Sequence, residues 1–591
     1  MSLRNLKLAL LLAYLFADLP GVAARIASLG LSFALLFFVA LYSVLAASLF
    51  AVAFIRRTTW RIVIGVIFSS ASVLLQSYES VTTGALDYSA FETMVTSWGA
   101  SDAALSLYGD TLWKTVPVAA LLFFALALPV RSKGLSLRMG FGAPVAGLAL
   151  LSGIFFLRGG EGGRGLPAPF APLAHGSLMA AVRLSEAGHD RNTVAISPVR
   201  RIGEQDVVLI VDESIAPTYL DINNPSGVYS GLGEARPGFA IHNFGYAAAV
   251  SNCSAGTNKT LRFGGTRDNY RKVGRLYPSI WAYAHKAGFR TVYLDGQRTG
   301  GQLHGKMTEF ERQEIDEFTQ LDTVAVRDRD QELAKRLLAH LANGQREFIY
   351  INKVGAHFPV ADKFPDSYTQ YKPILPRGET DHIGDMGSIH GKHDGSPAFW
   401  RNYRNAYRNT LLWNVGAFWD KVFAGLNPSN AVVVYTSDHG QELHEDGWPG
   451  KTTHCINDPR PQEGVVPLVV IDSATKPRLD WTGHLESSRN RQSHFSIFPT
   501  VLALLGYDPN DVRPTYGPSL IEPASDPFSF NITYFAALGR EPDWRRIDLA
   551  KLPMPPVSDS AAFAENQQPA VGSQVLLRAD IGGAMRPIPV P

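Results

Sequence analysis

The chain has few cysteines and little net charge, and each of these features excludes some classes of protein. Two cysteines, Cys253 and Cys455, in 591 residues exclude a disulfide framework and a thiolate zinc cluster. They leave room for one bridge if the compartment is oxidising. A net charge of +2, without any basic block, gives no electrostatic argument for nucleic-acid binding. The length exceeds that of one ordinary domain.

Long apolar runs are present instead, and five of them fill roughly the first 160 residues. They are Leu8–Ala24, Leu31–Ile55, Ile62–Gln76, Trp113–Val130 and Phe141–Leu157. A spanning helix needs about 20 apolar residues, and the third run is the shortest. No signal-peptide cleavage site follows the first run, and a second run begins at once. We therefore predict a five-helix transmembrane bundle over residues 1–158.

Basic residues give this bundle an orientation. They precede the first run and lie between the second and third and between the fourth and fifth: Arg4, Lys7, Arg56, Arg57, Arg61, Arg131, Lys133 and Arg138. The positive-inside rule then places the amino terminus in the cytoplasm. Five spans predict a multi-pass protein of the bacterial inner membrane, with everything after about residue 160 in the periplasm.

Two polar features of the membrane half stand out. The connection 77–112 lies on the predicted extracytoplasmic side and carries aromatic and acidic residues. It is either an interfacial segment or a segment that contacts substrate directly. Asp18, within the first run, is costly in lipid and so a functional candidate. Its position near the end of the run is equally compatible with simple exposure at the interface.

The soluble half alternates strand-length apolar runs with amphipathic segments. Residues 159–195 begin with a glycine-rich, flexible stretch and continue as a bridging helix. The apolar runs that follow are Val207–Val211, Thr291–Leu294, Glu347–Asn352, Ala431–Thr436 and Val465–Ile471. This pattern predicts an α/β domain over residues 196–549, with a mostly parallel sheet flanked by helices. Residues 550–591 form a Pro/Ala-rich tail.

Polar side chains follow two of the predicted strands. Glu213 comes directly after the first strand, and Asp438 and His439 follow the strand over 431–436. In parallel sheets, ligands bind beyond the carboxyl ends of the strands. Oxygen and nitrogen ligands of this kind suit zinc with one position open to substrate. For Glu213 alone, capping of the next helix is the competing interpretation.

A hydroxyl-rich segment and two histidines complete the candidate chemistry. Ser251–Gly265 reads SNCSAGTNKTLRFGG, and a hydroxyl becomes a nucleophile when a base or metal activates it. His357 and His454 could bind phosphoryl oxygens or protonate a leaving group. Solvated turns and loops are the alternative interpretation for all three. A further histidine group in a polar loop is predicted to be surface: His382, His390 and His393.

The spaced motifs IVDES, CSAGT, GAHFP, TSDHGQE, VPLVV and HFSIFPTVLALLG resemble the alkaline phosphatase/sulfatase superfamily. With the five-span anchor, the chain resembles the lipid A phosphoethanolamine transferases within it. The resemblance implies an extracytoplasmic alkaline phosphatase-like domain with zinc, one ion or two, and a threonine nucleophile. It implies the metal ligands Glu213, Thr257, Asp438 and His439.

Thr257 is the implied nucleophile because the family places its threonine four residues after a cysteine, here Cys253. Thr260 is the alternative, because related phosphoglycerol transferases carry Gly-Lys-Thr where this chain has Asn-Lys-Thr. The substrate-contacting histidines of the family correspond to His357 and His454.

The chain also departs from that family. Phe263 stands where the family has a second cysteine near the nucleophile, so we expect a long-range disulfide between Cys253 and Cys455 instead. GAHFP is closer to the HFP of lipoteichoic acid synthases than to the GSHGP of lipid A modifiers. The run from Cys253 to Thr257 lacks the Pro and Arg of formylglycine sulfatases.

The resemblance therefore implies a zinc-dependent membrane transferase. It would move phosphoethanolamine from a phospholipid, phosphatidylethanolamine above all, to a glycolipid or glycan of the cell envelope through a phosphothreonine intermediate. The alternatives are a phosphoglycerol transferase, a sulfatase-fold hydrolase and an inactive membrane scaffold. A monomer without nucleic-acid partners is expected.

Overall fold

The protein consists of an N-terminal group of apolar helices and a C-terminal α/β domain. The computed structural model describes residues 2–82, 86–96, 101–129, 134–160, 162–186, 191–199, 206–378, 395–447, 450, 452–456 and 458–559. The loop with His382, His390 and His393 lies outside these residues, as does most of the predicted tail.

Eight helices make up the described N-terminal half. They are α1 (Leu3–Ala17), α2 (Leu19–Leu29), α3 (Phe33–Ala53), α4 (Thr58–Thr82), α5 (Tyr88–Thr96), α6 (Ser101–Ala127), α7 (Leu137–Arg158) and α8 (Phe170–Glu186). The shortest apolar run of the sequence lies within α4, one of the longest helices. The helix α8 occupies the stretch for which a bridging helix was predicted.

Fewer helices qualify as membrane spans than the five that were predicted. By length and composition, α3, residues Thr58–Ser80 of α4, and α7 could cross a membrane. The helices α1 and α2 count as a fourth span only as a pair, because they bend by 51° at Asp18. The apolar part of α6, Thr111–Ala127, is too short to qualify. In the part of the chain that the structure describes, three spans, or four with the bent pair, are thus supported.

Two buried basic side chains bind helix carbonyls at one end of this bundle. Lys7 Nζ donates hydrogen bonds to the carbonyls of Leu126 (3.3 Å) and Leu128 (2.8 Å), and Arg61 Nε donates to Leu126 (3.1 Å). The last carbonyls of a helix lack intrahelical donors and carry partial negative charge. The two cations therefore satisfy the end of α6 and fix α1 and α4 against it.

A seven-stranded sheet organises the C-terminal half. Its strands are β1 (Asp206–Asp212), β2 (Phe239–Ala248), β3 (Arg290–Asp295), β4 (Glu317–Gln320), β5 (Glu347–Asn352), β6 (Ala431–Ser437) and β7 (Val465–Ser473). The order is β2-β7-β6-β1-β5-β3-β4. Only β7 runs antiparallel to its neighbours, which confirms the predicted α/β class with a mostly parallel sheet.

Helices cover both faces of this sheet. They are α9 (Ser254–Phe263), α10 (Tyr270–Leu276), α11 (Ile280–Lys286), α12 (Glu309–Gln313), α13 (Arg329–Leu341), α14 (Pro397–Leu411), α15 (Phe418–Gly425), α16 (Thr482–Ser488), α17 (Ile497–Leu505), α18 (Pro509–Tyr516) and α19 (Thr533–Ala537). Along β1, Val208 and Ile210 enter one core while Val207, Leu209 and Val211 enter the other. Burial on both faces explains the continuous apolar run.

The two halves are in contact. A small β-ribbon pairs β8 (Ser529–Ile532) with β9 (Asp543–Arg546), and α19 lies in the connection between them. Apolar contacts join Tyr88 of α5 to Ile532 and Leu538. Glu92 of α5 also forms an ion pair with Lys306 (3.1 Å). The connection 77–112 thus carries a helix that packs on the C-terminal α/β domain.

A disulfide joins Cys253 to Cys455, with a Cα–Cα distance of 5.0 Å and a sequence separation of 202. The backbone N–H of Cys455 also donates to the carbonyl of Asn252 (3.0 Å). The start of α9 is therefore bound to the long loop between β6 and β7.

Peptide mapping should find Cys253 linked to Cys455 in unreduced protein, and the doubly substituted variant Cys253→Ser/Cys455→Ser should be less stable. The chain-entropy model for so long a loop gives a loss of about 4–5 kcal/mol in unfolding free energy. Alkylation of both thiols without reduction would contradict the pairing.

The buried ion pair of Arg262 with Glu311 (2.7 Å) should be the more sensitive of two ion pairs. Both side chains are at most 1% exposed, so Glu311→Gln leaves a buried charge uncompensated. We expect a cost of about 3–5 kcal/mol, measured by urea-dependent tryptophan fluorescence of the full chain in detergent. The control Glu332→Gln breaks an exposed pair with Arg336 and should cost under about 1 kcal/mol. Equal losses would contradict the assignment.

Candidate metal centre

Three metal-ligand side chains meet where two adjacent strands end. The parallel strands β1 and β6 pair in register, with Asp212 opposite Ser437. The residues that follow, Glu213, Asp438 and His439, therefore emerge at the same edge of the sheet. His439 Nε2 lies 3.2 Å from Glu213 Oε1 and 3.5 Å from Asp438 Oδ2. One ligand atom from each residue lies within 4.8 Å of the others, and all three residues are buried.

Neighbouring groups orient these ligands. His439 Nδ1 donates to the carbonyl of Gly440 (2.7 Å), so Nε2 of the neutral ring carries the lone pair that a metal needs. Gln297 Nε2 donates to Glu213 Oε2 (2.8 Å). Ser214 has a left-handed φ of 62°, and its N–H donates to Asp438 Oδ1 (3.1 Å).

The electrostatics of the group favour a positive charge at its centre. Burial disfavours the charged form of Glu213, but the hydrogen bond and charge of His439 outweigh burial and hold the pKa of Glu213 well below its usual range. Burial and the charge of Glu213 raise the pKa of Asp438 to about 7. Burial lowers the pKa of His439, yet both carboxylates raise it to about 9. A divalent cation would supply the charge that a proton on His439 otherwise supplies.

The donor set fits zinc by chemistry as well as by position. Two carboxylates and one imidazole are oxygen and nitrogen ligands that zinc accepts. Asp438 Oδ2 is buried, and within the described part of the chain it has no hydrogen-bond partner. A buried carboxylate oxygen without a donor is costly, so a bound cation would remove that cost.

Two hydroxyls contact this group. Ser214 Oγ donates to Glu213 Oε1 (2.9 Å), and the second hydroxyl belongs to Ser254. Its Oγ lies 3.3 Å from His439 Nε2, and it donates to Glu213 Oε1 (3.4 Å) and Oε2 (3.5 Å). Ser254 is the first residue of α9, after Cys253 at the N-cap position. The N–H groups of a first helical turn are unpaired and attract anions. A phosphoryl group bound here would meet the hydroxyl and the helix end together.

Thr257, the implied nucleophile and ligand, lies one turn further along α9 than Ser254. Its hydroxyl donates to the carbonyl of Ser251 (3.4 Å) and accepts from the N–H of Ser251 (3.3 Å). The alternative, Thr260, donates to the carbonyl of Gly256 within the helix (2.9 Å). The roles of Thr257 and Thr260 stay predictions, and Ser254 is a further candidate that the offset from Cys253 did not suggest.

Both implied substrate histidines lie beside the ligands. The ring of His454 stacks on that of His439, with centroids 4.4 Å apart. Burial and the positive charge of His439 hold the pKa of His454 well below its usual range, so His454 is neutral. His357 Nδ1 donates to the carbonyl of Phe358 (2.8 Å), and the charge of His357 contributes to the low pKa of Glu213.

His304 also lies near the ligands, and the sequence alone did not identify it. Its Nδ1 accepts from the amide Nδ2 of Asn352 (3.2 Å), so Nε2 carries the proton and can donate. Burial, together with the charge of Arg298, lowers its pKa to about 3. Its position in a loop without periodicity gave no structural signal. The nearby motif YLDGQ, which contains the orienting residue Gln297, was the available clue.

Comparison with known proteins agrees with this geometry. The family model described as Sulfatase matches residues 205–507. The phosphoethanolamine transferase EptC of Escherichia coli is 26% identical over 212 residues, 34% of each chain. The Kdo(2)-lipid A phosphoethanolamine 7''-transferase of Salmonella typhimurium is 26% identical over 174 residues, 27% of each chain. The matches span about a third of these relatives or less.

A solved membrane protein shares the fold of both halves. It is the lipooligosaccharide phosphoethanolamine transferase A of Neisseria meningitidis, with a TM-score of 0.58 and 16% identity. The alignment covers 84% of this chain and 96% of that one. Because the family model covers half of the chain, the protein belongs to the sulfatase family.

Proposed function

We propose that the protein is a zinc-dependent phospholipid headgroup transferase. It moves phosphoethanolamine from phosphatidylethanolamine to a glycolipid or glycan acceptor at the outer face of the bacterial inner membrane. The observation that carries this is the Ser254 hydroxyl, 3.3 Å from His439 Nε2 and within hydrogen-bond distance of Glu213. We propose phosphoethanolamine as the transferred group because the relatives are named as phosphoethanolamine transferases.

Glu213, Asp438 and His439 would hold the zinc ion. When bound, zinc lowers the pKa of a nearby hydroxyl and polarises a phosphoryl group. The same buried set leaves one side open toward α9, where Ser254 lies. We propose one ion, because within the described residues these three form the one group of this kind.

The chain's own side chains then carry the transfer in two displacements. Ser254 Oγ gives up its proton to solvent by way of Glu213 and bonds to phosphorus, the bond from phosphorus to the diacylglycerol oxygen breaks, and that oxygen takes up a proton. His357 would bind a phosphoryl oxygen or supply that proton, and the neutral His454 would donate a hydrogen bond to a phosphoryl oxygen. His304 Nε2–H and the N–H groups at the start of α9 stabilise the charge that develops. An acceptor hydroxyl or phosphate next attacks phosphorus and frees Ser254.

The membrane half makes physical sense in this reaction. Donor and acceptor are both confined to the bilayer surface, so an anchored catalytic domain meets them at high effective concentration without further contacts. The apolar helices and their contact with the α/β domain through α5 support this role.

Intact mass spectrometry should identify the nucleophile. After incubation with phosphatidylethanolamine and no acceptor, wild type and Thr257→Val should both gain the mass of phosphoethanolamine. Ser254→Ala should gain none, because it lacks the attacking oxygen. Peptide mapping should place the adduct on Ser254.

An adduct on Thr257 would overturn the assignment of Ser254. The mass of phosphoglycerol after incubation with phosphatidylglycerol would favour a phosphoglycerol transferase instead. Headgroup release without any adduct or transfer would favour a hydrolase.

Metal analysis should find about one zinc per chain in the wild type. Glu213→Gln should lose most of it, because one charged ligand becomes a neutral amide. Zinc at about a hundred times its dissociation constant should stabilise the wild type by about 2.7 kcal/mol, and the variant far less. The control Glu332→Gln, on the exposed face of α13, should retain full zinc. A wild-type zinc content in Glu213→Gln would contradict the site.

A further inference from the structure

A second polar site lies in the membrane half. A cavity of about 150 Å³ opens between the end of α1, the end of α4 and the chain that follows α7. Its lining includes the charged side chains Asp18, Glu79 and Arg164, and the amide of Gln76. The volume is comparable to one that admits benzene in another protein. A ligand portion of about six heavy atoms therefore fits.

Among the described residues, the charges around this cavity form no hydrogen bond or short ion pair, although Arg164 is close enough to Glu79 to attract it electrostatically. Asp18 occupies the N-cap position of α2 but makes no capping hydrogen bond there. Within the described chain, Asp18, Glu79 and Arg164 form no ion pair, so they flank the cavity without closing on one another. Gln76 Oε1 is buried without a hydrogen-bond partner. Three acceptors and one cation thus face a common space.

Two glycines shape the wall. A Cβ on Gly21 would lie 2.9 Å from Asp18 Oδ1. Gly165 has a left-handed φ of 76° and lies against the helix junction, where a Cβ would stand 3.3 Å from the carbonyl of Gly21. Side chains at either position would strain or fill the cavity. This close approach also positions Arg164, the preceding residue, which the glycine-rich sequence alone presented as flexible linker.

The cavity lies at the end of the bundle that faces the catalytic half. The cations Lys7 and Arg61 satisfy the carbonyls at the opposite end of α6. Asp18 and Glu79 lie near the other ends of α1 and α4, where the chain leaves α7 for the α/β domain. Because the cavity lies at the end of the bundle, the headgroups of the surrounding bilayer would lie at its level.

We propose that this cavity binds the headgroup of a zwitterionic phospholipid. The ammonium group would lie between Asp18 and Glu79 and donate to Gln76 Oε1, with the phosphate toward Arg164. Separated charges of both signs match a headgroup that carries an ammonium and a phosphate. The chemistry of the cavity alone gives this ligand class, so the inference does not require the proposed transfer reaction.

The test measures lipid binding to the full chain in detergent by native mass spectrometry. Every protein carries Ser254→Ala so that no lipid is consumed, which separates this test from that of the transfer. Phosphatidylethanolamine and phosphatidylglycerol with identical acyl chains are titrated. The variant Asp18→Asn/Glu79→Gln is compared with Asp87→Asn. Asp87 caps α5 through the N–H of Ala90 and lies outside the cavity lining, and Asn caps as well as Asp.

The Asp18→Asn/Glu79→Gln variant should bind phosphatidylethanolamine at least about tenfold more weakly and phosphatidylglycerol within about twofold of the control. Water-soluble glycerophosphoethanolamine should compete with phosphatidylethanolamine, which assigns recognition to the headgroup. Phosphatidylethanolamine binding equal to that of the control, or an equal loss for both lipids, would overturn the proposal.

Arg164→Gln offers a second test at an exposed position, in case the double variant fails to fold. It should weaken both lipids, because both carry a phosphate. Unchanged binding of both would overturn the phosphate contact.

Discussion

The parallel pairing of β1 with β6 is the constraint on which the metal centre depends. The side chains of a strand alternate between faces, so a slip of one residue would turn every ligand to the wrong side. Buried polar contacts hold the strand ends in this register. Lys353 Nζ donates to Asp212 Oδ2 and to the carbonyl of Asn414, each at 2.6 Å. The hydroxyl of Tyr435 also donates to Asp212 (3.0 Å).

The helix α9 positions Ser254 beside the ligands at the strand ends. The disulfide of Cys253 binds its first turn to the loop that carries His454, and the ion pair of Arg262 anchors its last turn to α12. Both ends of α9 are therefore fixed, and with them the position of Ser254 relative to the ligands. Such positioning matters because a nucleophile displaced by about 1 Å loses much of its rate advantage. The helix is thus a rigid support for one hydroxyl.

The membrane half has charged side chains at both ends, with cations at one end and carboxylates at the other. Buried cations satisfy the helix carbonyls near Leu126, while Asp18 and Glu79 surround an open cavity at the other end. The first arrangement is self-contained and structural. The second leaves acceptors without donors, which is why it indicates a ligand. Contacts of α5 with the α/β domain connect the half that contains this cavity to the half that contains the metal centre.

The sequence by itself determined the classes of structure and chemistry. Apolar runs of two lengths separated membrane helices from buried strands, and Glu213, Asp438 and His439 were identifiable because strand ends meet at one edge of a parallel sheet. The sequence indicated only the end of β2, as a strand-like Tyr246–Val250, because the burial along β2 is irregular, and it missed β4, which is only four residues long. It also could not detect the break at Asp18 that lowers the count of spans.

Only the tertiary structure decided which hydroxyl meets the ligands. Ser254 and Thr257 are chemically similar and three residues apart, and the difference between them is the point at which α9 begins. It also decided that His304 and Gln297 join the site and that Gly165 packs against Gly21. These contacts link residues far apart in the chain. They arise from how helices dock on the sheet and on one another, which local sequence patterns do not encode.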